Sequence, residues 1–152
     1  MFAIGCNLCV QEMTGEELLE KMAASLASLP YESPAFCQIS GASYGYLTEY
    51  ALTEEGEKLY TIIDPTVNGD PLEMEKIYRV ASGFNMDETE ETETLLSTME
   101  EAAAAMGEYL RSGQAVILPD VPVPDHRIVP MDEVPADAVG YQVIVNTDNM
   151  LP

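Results

Sequence analysis

Three cysteines and one histidine are the side chains here with the widest chemical reach. Cys6-Asn7-Leu8-Cys9 has the spacing of a thiolate pair, and Cys37 stands apart. A structural zinc site takes four ligands, so one pair and a distant His126 fall short of it. The stretch also reads as a strand, where residues three apart point to opposite faces. The odd cysteine count does not close into intramolecular disulfides alone. Buried, inert thiols are the expectation. A Ser-His-acid triad would have to use His126, which lies in a proline-flanked extended stretch without a G-x-S-x-G elbow. His126 therefore reads as a surface or packing residue. Hydrolytic metal centres gather several His, Asp or Asn side chains, and no H-x-x-x-H or D-x-H cluster is present. Neither G-x-x-x-x-G-K-[ST] nor G-x-G-x-x-G occurs. The seven acids between Asp87 and Glu101 lack the D-x-[DN]-x-[DN]-G spacing of a calcium loop and read as a solvated face. No catalytic or metal-ligating residue, and no cofactor, is assigned to this chain.

Charge narrows the partners. Against 27 Asp and Glu stand 6 Lys and Arg, a formal net charge of −21 over 152 residues. Proteins that bind nucleic acid polymers must neutralise phosphates with cations, so that class is excluded. Docking on anionic membrane is disfavoured for the same reason. No stretch approaches the roughly 18 apolar residues of a membrane span. Met1 to Val10 is apolar but short and lacks a basic leading region, so it does not read as a signal peptide. Ala3-Ile4-Gly5-Cys6 only faintly echoes a lipoprotein cleavage box, and it stands too near the start for an apolar region before it.

These side chains must be carried by a core, and 47% apolar residues can supply one. Met1 to Val10 reads as a strand leading into a helix. Thr14 is the N-cap and Glu17 completes a T-x-x-E capping box. Leu18, Met22, Leu26 and Leu29 then recur at helical spacing until Pro30 and Pro34. Phe36 to Ser40 reads as a short strand broken by Gly41. Ser43 to Leu52 reads as a strand with Tyr44, Tyr46 and Tyr50 on one face, either a stacking platform or, as expected here, a half-buried sheet face. Lys58 to Pro65, Thr66 to Asn68 and Ile77 to Ala81 read as a β-meander around the Asn68-Gly69 turn.

Asp87 to Glu93 reads as a solvated loop or helix start, since acids there suit the macrodipole. Leu95, Met99, Ala102, Met106 and Tyr109 outline a second amphipathic helix that closes near Arg111 and Gly113. Ala115 to Leu118 reads as a short buried strand. Six of the ten prolines lie beyond residue 118, and Val121 to Pro124 reads as extended chain. Tyr141 to Asn146 alternates like an edge strand, and the tail after it is expected to fray. The order β-α-β-β-β-β-α-β-β is that of an α+β fold, a mixed or antiparallel sheet packed with two main helices.

Several segments, in order, resemble the C-terminal domain of the 5′-nucleotidase family. Asn7 to Leu18 is similar to its strand, Thr-Gly turn and first helix. Phe36-Cys37-Gln38-Ile39-Ser40-Gly41 is similar to its F-x-Q-V-S-G segment. Val67-Asn68-Gly69-Asp70-Pro71-Leu72 and Lys76-Ile77-Tyr78-Arg79-Val80-Ala81 resemble V-N-G-x-P-L followed by K-x-Y-R-V-A. Glu108 to Arg111, then His126-Arg127-Ile128, resemble the closing helix and the E-G-R-I strand. The resemblance runs over residues 1–129 and lacks the family's N-terminal, arginine-bearing strands. Residues 130–152 form a proline-containing extension outside it.

The resemblance implies a nucleoside-binding domain, non-catalytic on its own. Divalent metals and hydrolysis would belong to a separate phosphoesterase domain, the implied partner. Two aromatic rings would sandwich the base of a nucleoside or nucleotide, because a π-face accepts any base while nearby polar groups set orientation. Phe36 takes the place of the first ring, Phe84 stands in for the second, and Ser40 and Gly41 complete the implied substrate-binding residues. The family's G-G-D-G-[YF] loop has no counterpart: Asp87 to Glu93 occupies its place, with no glycine, no aromatic and strong negative charge. That departure supports an alternative, a structural or protein-interaction domain that has lost nucleotide binding. The family further implies an extracellular, periplasmic or cell-surface location. Independent hydrolysis by this chain is the least supported reading.

Overall fold

Thr14 marks the point where strand becomes helix. The computed structural model describes residues 8–31, 33, 36–82, 93–96, 99–113 and 127–145. Strand β1 (Leu8–Thr14) runs directly into helix α1 (Gly15–Ser25). The capping box forms as its sequence predicts: Thr14 N–H donates to Glu17 Oε2 (2.6 Å) and Glu17 N–H to Thr14 Oγ1 (3.2 Å). The next two helix-start donors, Gly15 N–H and Glu16 N–H, reach the carbonyls of Lys76 and Met74, both at 3.0 Å. The donors at the helix start are thus satisfied by the Glu17 side chain, the Thr14 hydroxyl and the Lys76 and Met74 carbonyls, which meets the requirement a helix start poses.

The chain divides into two compact units. One holds residues 14–76 and 125–152. Its sheet is built from β2 (Ala42–Leu47), β3 (Ala51–Leu52), β4 (Lys58–Val67), β5 (Asp70–Pro71), β8 (Ile128–Met131) and β9 (Gly140–Val145). β4 is central: β2 and β3 pair antiparallel along one side, β9 and β5 along the other. β8 lies parallel to β2, so the sheet is mixed. By register Tyr60 and Ile62 share a face with Val143 and Tyr141, and α1 packs over β4 and β9. Leu19, Met22, Ala23 and Leu26 are buried from the helix side, and Tyr60, Ile62, Val143 and Val145 from the sheet side. Burying one such side chain fully contributes about 1.5–3 kcal/mol. On the opposite face Ile63 is flanked by Gly45 and Gly140, and the chain between β8 and β9 returns there. Asp64 and Val139 clasp it: Asp64 N–H donates to the Val139 carbonyl (3.0 Å) and Val139 N–H to Asp64 Oδ1 (2.8 Å).

The other unit holds residues 1–13 and 77–124. Its sheet has the order β6-β1-β7, with β6 (Ile77–Ser82) and β7 (Glu93–Leu96) flanking β1. Helix α2 (Met99–Arg111) contacts β7 and ends as expected, with Gly113 at φ +74° beyond it. The α+β class with two main helices is therefore observed.

Several local expectations are corrected. Helix α1 stops at Ser25, not at Leu29: Leu26 N–H turns back to the carbonyls of Ala23 and Ala24, and shorter-range bonds carry the chain through residues 26–30. The Ser43–Leu52 strand is interrupted at residues 48–50, and a register shift between Ser43 and Gly45 turns Tyr44 inward. Tyr44 is buried, Tyr46 half-buried, and Tyr50 exposed against Tyr60, with Lys58 Nζ 4.8 Å from its ring centre. The tyrosines do not make one continuous stripe. Ile77–Ser82 does not extend the meander but joins β1 in the other sheet. Leu95 lies in a strand, not in α2, because Glu93–Leu96 pairs with β1. Met1 to Asn7, Ala115 to Leu118, Val121 to Pro124, His126 and the tail after Val145 lie outside the described residues, as does most of the acidic stretch, Asp87 to Thr92.

Candidate functional site

Phe36, Ser40 and Gly41 lie on one short segment, and the reading of Phe36 to Ser40 as a strand is corrected: the segment has no regular pairing. Its backbone groups go elsewhere. Phe36 N–H donates to the Ser33 carbonyl (3.2 Å), and Cys37 N–H donates to Ser25 Oγ (3.3 Å). The Arg127 guanidinium donates to the Ile39 carbonyl. Asn68 N–H donates to the Gly41 carbonyl (2.7 Å). Gly41 itself sits at φ +76°, the left-handed region that glycine enters without steric cost, and a Cβ there would press on Asn68 Oδ1. The segment is thus an irregular run held by one local bond, to Ser33, and by three points drawn from α1, the β4–β5 turn and the start of β8.

The turn that supplies Asn68 is dictated locally. Asn68 and Gly69 have φ of +54° and +88°, the pair of positive values that a tight antiparallel hairpin requires. β4 and β5 close around it through Thr66–Pro71 and Val67–Asp70.

Exposure grades along the segment. Phe36, Cys37 and Ile39 are half-buried, while Gln38, Ser40 and Gly41 are exposed. Beneath it lie two buried hydroxyls, those of Ser25 and Tyr44, both 3% exposed. Burial pushes the Tyr44 phenol up to about 12, with the Ser25 hydroxyl opposing the rise. Ser25 is near enough for that influence but does not close a hydrogen bond of good geometry. Among the described residues neither Tyr44 Oη nor Ser28 Oγ has a hydrogen-bond partner. Burial also raises the Cys37 thiol above its ordinary value, and Lys21 works against the rise. Cys37 is therefore a protonated, weakly nucleophilic thiol at neutral pH.

Phe36, Ser40 and Gly41 lie along one irregular segment, while Phe84 lies outside the described residues. Cys9 pairs with Thr94 across β1 and β7, and Cys6 lies outside the described residues. Among the described residues no group of three or more His, Cys, Asp or Glu is gathered closely enough to hold a metal ion. None of their helices is long and apolar enough to cross a membrane. Sequence reasoning did not find Ser25 and Asn68 as supports of the segment, or the role of Arg127 in it. Asn68 carried a signal through its Asn-Gly turn. Ser25 and Arg127 carried none, since their contacts with the segment span 12 and 88 residues.

A family model described as 5′-nucleotidase, C-terminal domain, matches residues 1–85. That span includes β1, α1, the Phe36–Gly41 segment and the Asn68-Gly69 hairpin. No curated protein matches the chain. More than half of the sequence is covered, and the fold has the mixed sheet and two helices that the resemblance implied; the chain belongs to the family of 5′-nucleotidase C-terminal domains.

Proposed function

We propose that this chain is a nucleoside-recognition domain that works with a phosphoesterase domain and does not hydrolyse its ligand alone. The observation that carries the reading is the Phe36–Gly41 segment. It joins a half-buried aromatic ring to an exposed serine and a left-handed glycine, and it is tied at three points to the surrounding fold. Such a run presents a ring face for stacking with backbone and hydroxyl groups alongside to orient a base. Family membership supports the same reading. Phe36 supplies one ring, with Ser40 and Gly41 beside the base; Phe84, the second ring that the resemblance implies, lies outside the described residues. Divalent metals serve the phosphoesterase domain. By the same family logic the protein works outside the cytoplasm, which cell fractionation tests directly.

Titration with adenosine, followed by backbone amide shifts, tests the binding. Shifts centred on residues 36–41, lost in Phe36→Ala, are expected. Unperturbed amides there at millimolar adenosine would sink the reading. Phosphate release from AMP by this chain alone, with Mn²⁺, Zn²⁺ or Ca²⁺, would overturn its non-catalytic part.

A second reading, a structural or protein-interaction domain, is favoured by the acidic stretch where the family has a neutral glycine loop. A nucleotide brings its own negative charge, and like charges repel. Binding of uncharged adenosine but not AMP would point to this charge. Binding of neither favours the interaction domain.

A further inference from the structure

Arg127 holds two stretches of chain at once. Its backbone carbonyl accepts Tyr44 N–H (2.8 Å), one step before the parallel pairing of Tyr44 with Ile128 begins. From that fixed base its guanidinium reaches the Ile39 carbonyl, 88 residues back along the chain. Ile39 and Tyr44 bracket the point where the irregular Phe36–Gly41 segment turns into β2. The bond therefore sets the path by which the segment leaves the sheet.

The other tethers act at different points. Asn68 N–H holds the Gly41 carbonyl, at the sheet end of the segment, and Ser25 Oγ holds Cys37 N–H near its start. Between them the Ile39 carbonyl is engaged by a charged donor. A hydrogen bond to a charged group is stronger than a neutral one. It is half-buried here, so solvent competes less for it.

We propose that Arg127 is the positioning residue of the ligand-recognition segment. It does not contact the base. By fixing the Ile39 carbonyl it holds Phe36, Ser40 and Gly41 in a binding-ready arrangement, so the ordering cost is met before the ligand arrives. The consequence for binding rests on the nucleoside reading above, whereas the positioning itself does not.

Two arms separate the claims. In the first, no ligand is used. The wild-type chain shows a through-hydrogen-bond coupling between the Arg127 guanidinium nitrogens and the Ile39 carbonyl carbon. Arg127→Met raises amide exchange at Cys37 and Asn68 at least tenfold, while Ile62 and Ile63 in the sheet centre keep wild-type exchange. Arg127→Lys, which retains the charge and one donor, restores part of the protection. It also serves if the methionine variant does not fold. In the second arm, adenosine binds Arg127→Met about tenfold more weakly than wild type, and Arg127→Lys recovers part of the loss.

Absence of the coupling in wild type overturns the proposal. So does a loss of protection in Arg127→Met that is as large at Ile62 and Ile63 as at Cys37 and Asn68, because that describes general destabilisation. If wild type fails to bind adenosine, the nucleoside reading fails, and the first arm still decides the role of Arg127.

Discussion

Gly15 lies so close to Glu73 that a Cβ on the glycine would collide with the Glu73 carbonyl oxygen. The contact exists because the start of α1 hands its first two N–H groups to the carbonyls of Lys76 and Met74. Only a residue without a side chain lets the two backbones approach so far. The family's Thr-Gly turn is thereby given a steric reason at this position.

Gly15→Ala is expected to destabilise the fold by at least about 1–3 kcal/mol, because a backbone carbonyl cannot swing aside as a side chain can. Thr14→Ala, which removes the cap but adds no clash, is expected to cost about 1 kcal/mol. Urea unfolding of both variants checks the order. A Gly15→Ala variant as stable as Thr14→Ala would show that the Glu73 carbonyl yields easily.

Tyr44 gives a pH-dependent prediction. Its phenol is raised to about 12 by burial, so the folded state disfavours the ionised form. The sign follows from linkage: the contribution is fully present below the unfolded pKa of about 10 and is lost as pH climbs through the folded value. Stability should therefore fall between about pH 10 and 12, and Tyr44→Phe should flatten that slope. At neutral pH the same substitution removes a buried hydroxyl without a partner among the described residues, and a stability gain of about 1 kcal/mol is expected. Chemical denaturation at pH 7 and across the alkaline range measures both. A loss of stability at pH 7 would mean that the hydroxyl is bonded in solution.

Cys37 should react slowly. Burial raises its thiol, so the thiolate that does the alkylating chemistry is scarce at pH 8. Iodoacetamide is expected to modify Cys37 several-fold more slowly in the folded chain than after urea unfolding. The pH of half-maximal rate should lie above that of a model thiol. Mass spectrometry of the Cys37 peptide over time reads the rate, and equal rates in the two states would contradict the burial argument.

Salt should stabilise the molecule. A net charge of −21 sets most exposed groups against one another, and the repulsion weakens as the screening length falls from about 30 Å at 0.01 M to about 8 Å at 0.15 M. The thermal midpoint is expected to rise by several degrees over that range of NaCl. A flat or falling midpoint in calorimetry would show that the acids are spaced too widely to repel.

Where a short run of residues contains its own physical requirement, the fold was readable. The Thr14–Glu17 box placed the start of α1, and Asn68-Gly69 placed the β4–β5 turn, because capping and positive φ are local properties. The end of α1 was less legible. Leu29 continues the apolar spacing, yet turn-type bonds from Leu26 onward win before Pro30. Glu93 to Leu96 has little strand character of its own and is a strand only because β1 offers an antiparallel partner.

The class of the fold, the two helices and the family are legible along the chain, because capping, periodicity and ordered motifs are written within short windows. The sequence also names Phe36, Ser40 and Gly41 as neighbours on one segment. That this segment is irregular, and what holds it, depends on contacts between distant parts of the chain. Ser25, Asn68 and Arg127 satisfy its backbone groups from 12, 27 and 88 residues away from their partners Cys37, Gly41 and Ile39. No periodicity encodes such bonds. They exist because α1, the β4–β5 hairpin and the start of β8 are folded around the same few carbonyl and N–H groups.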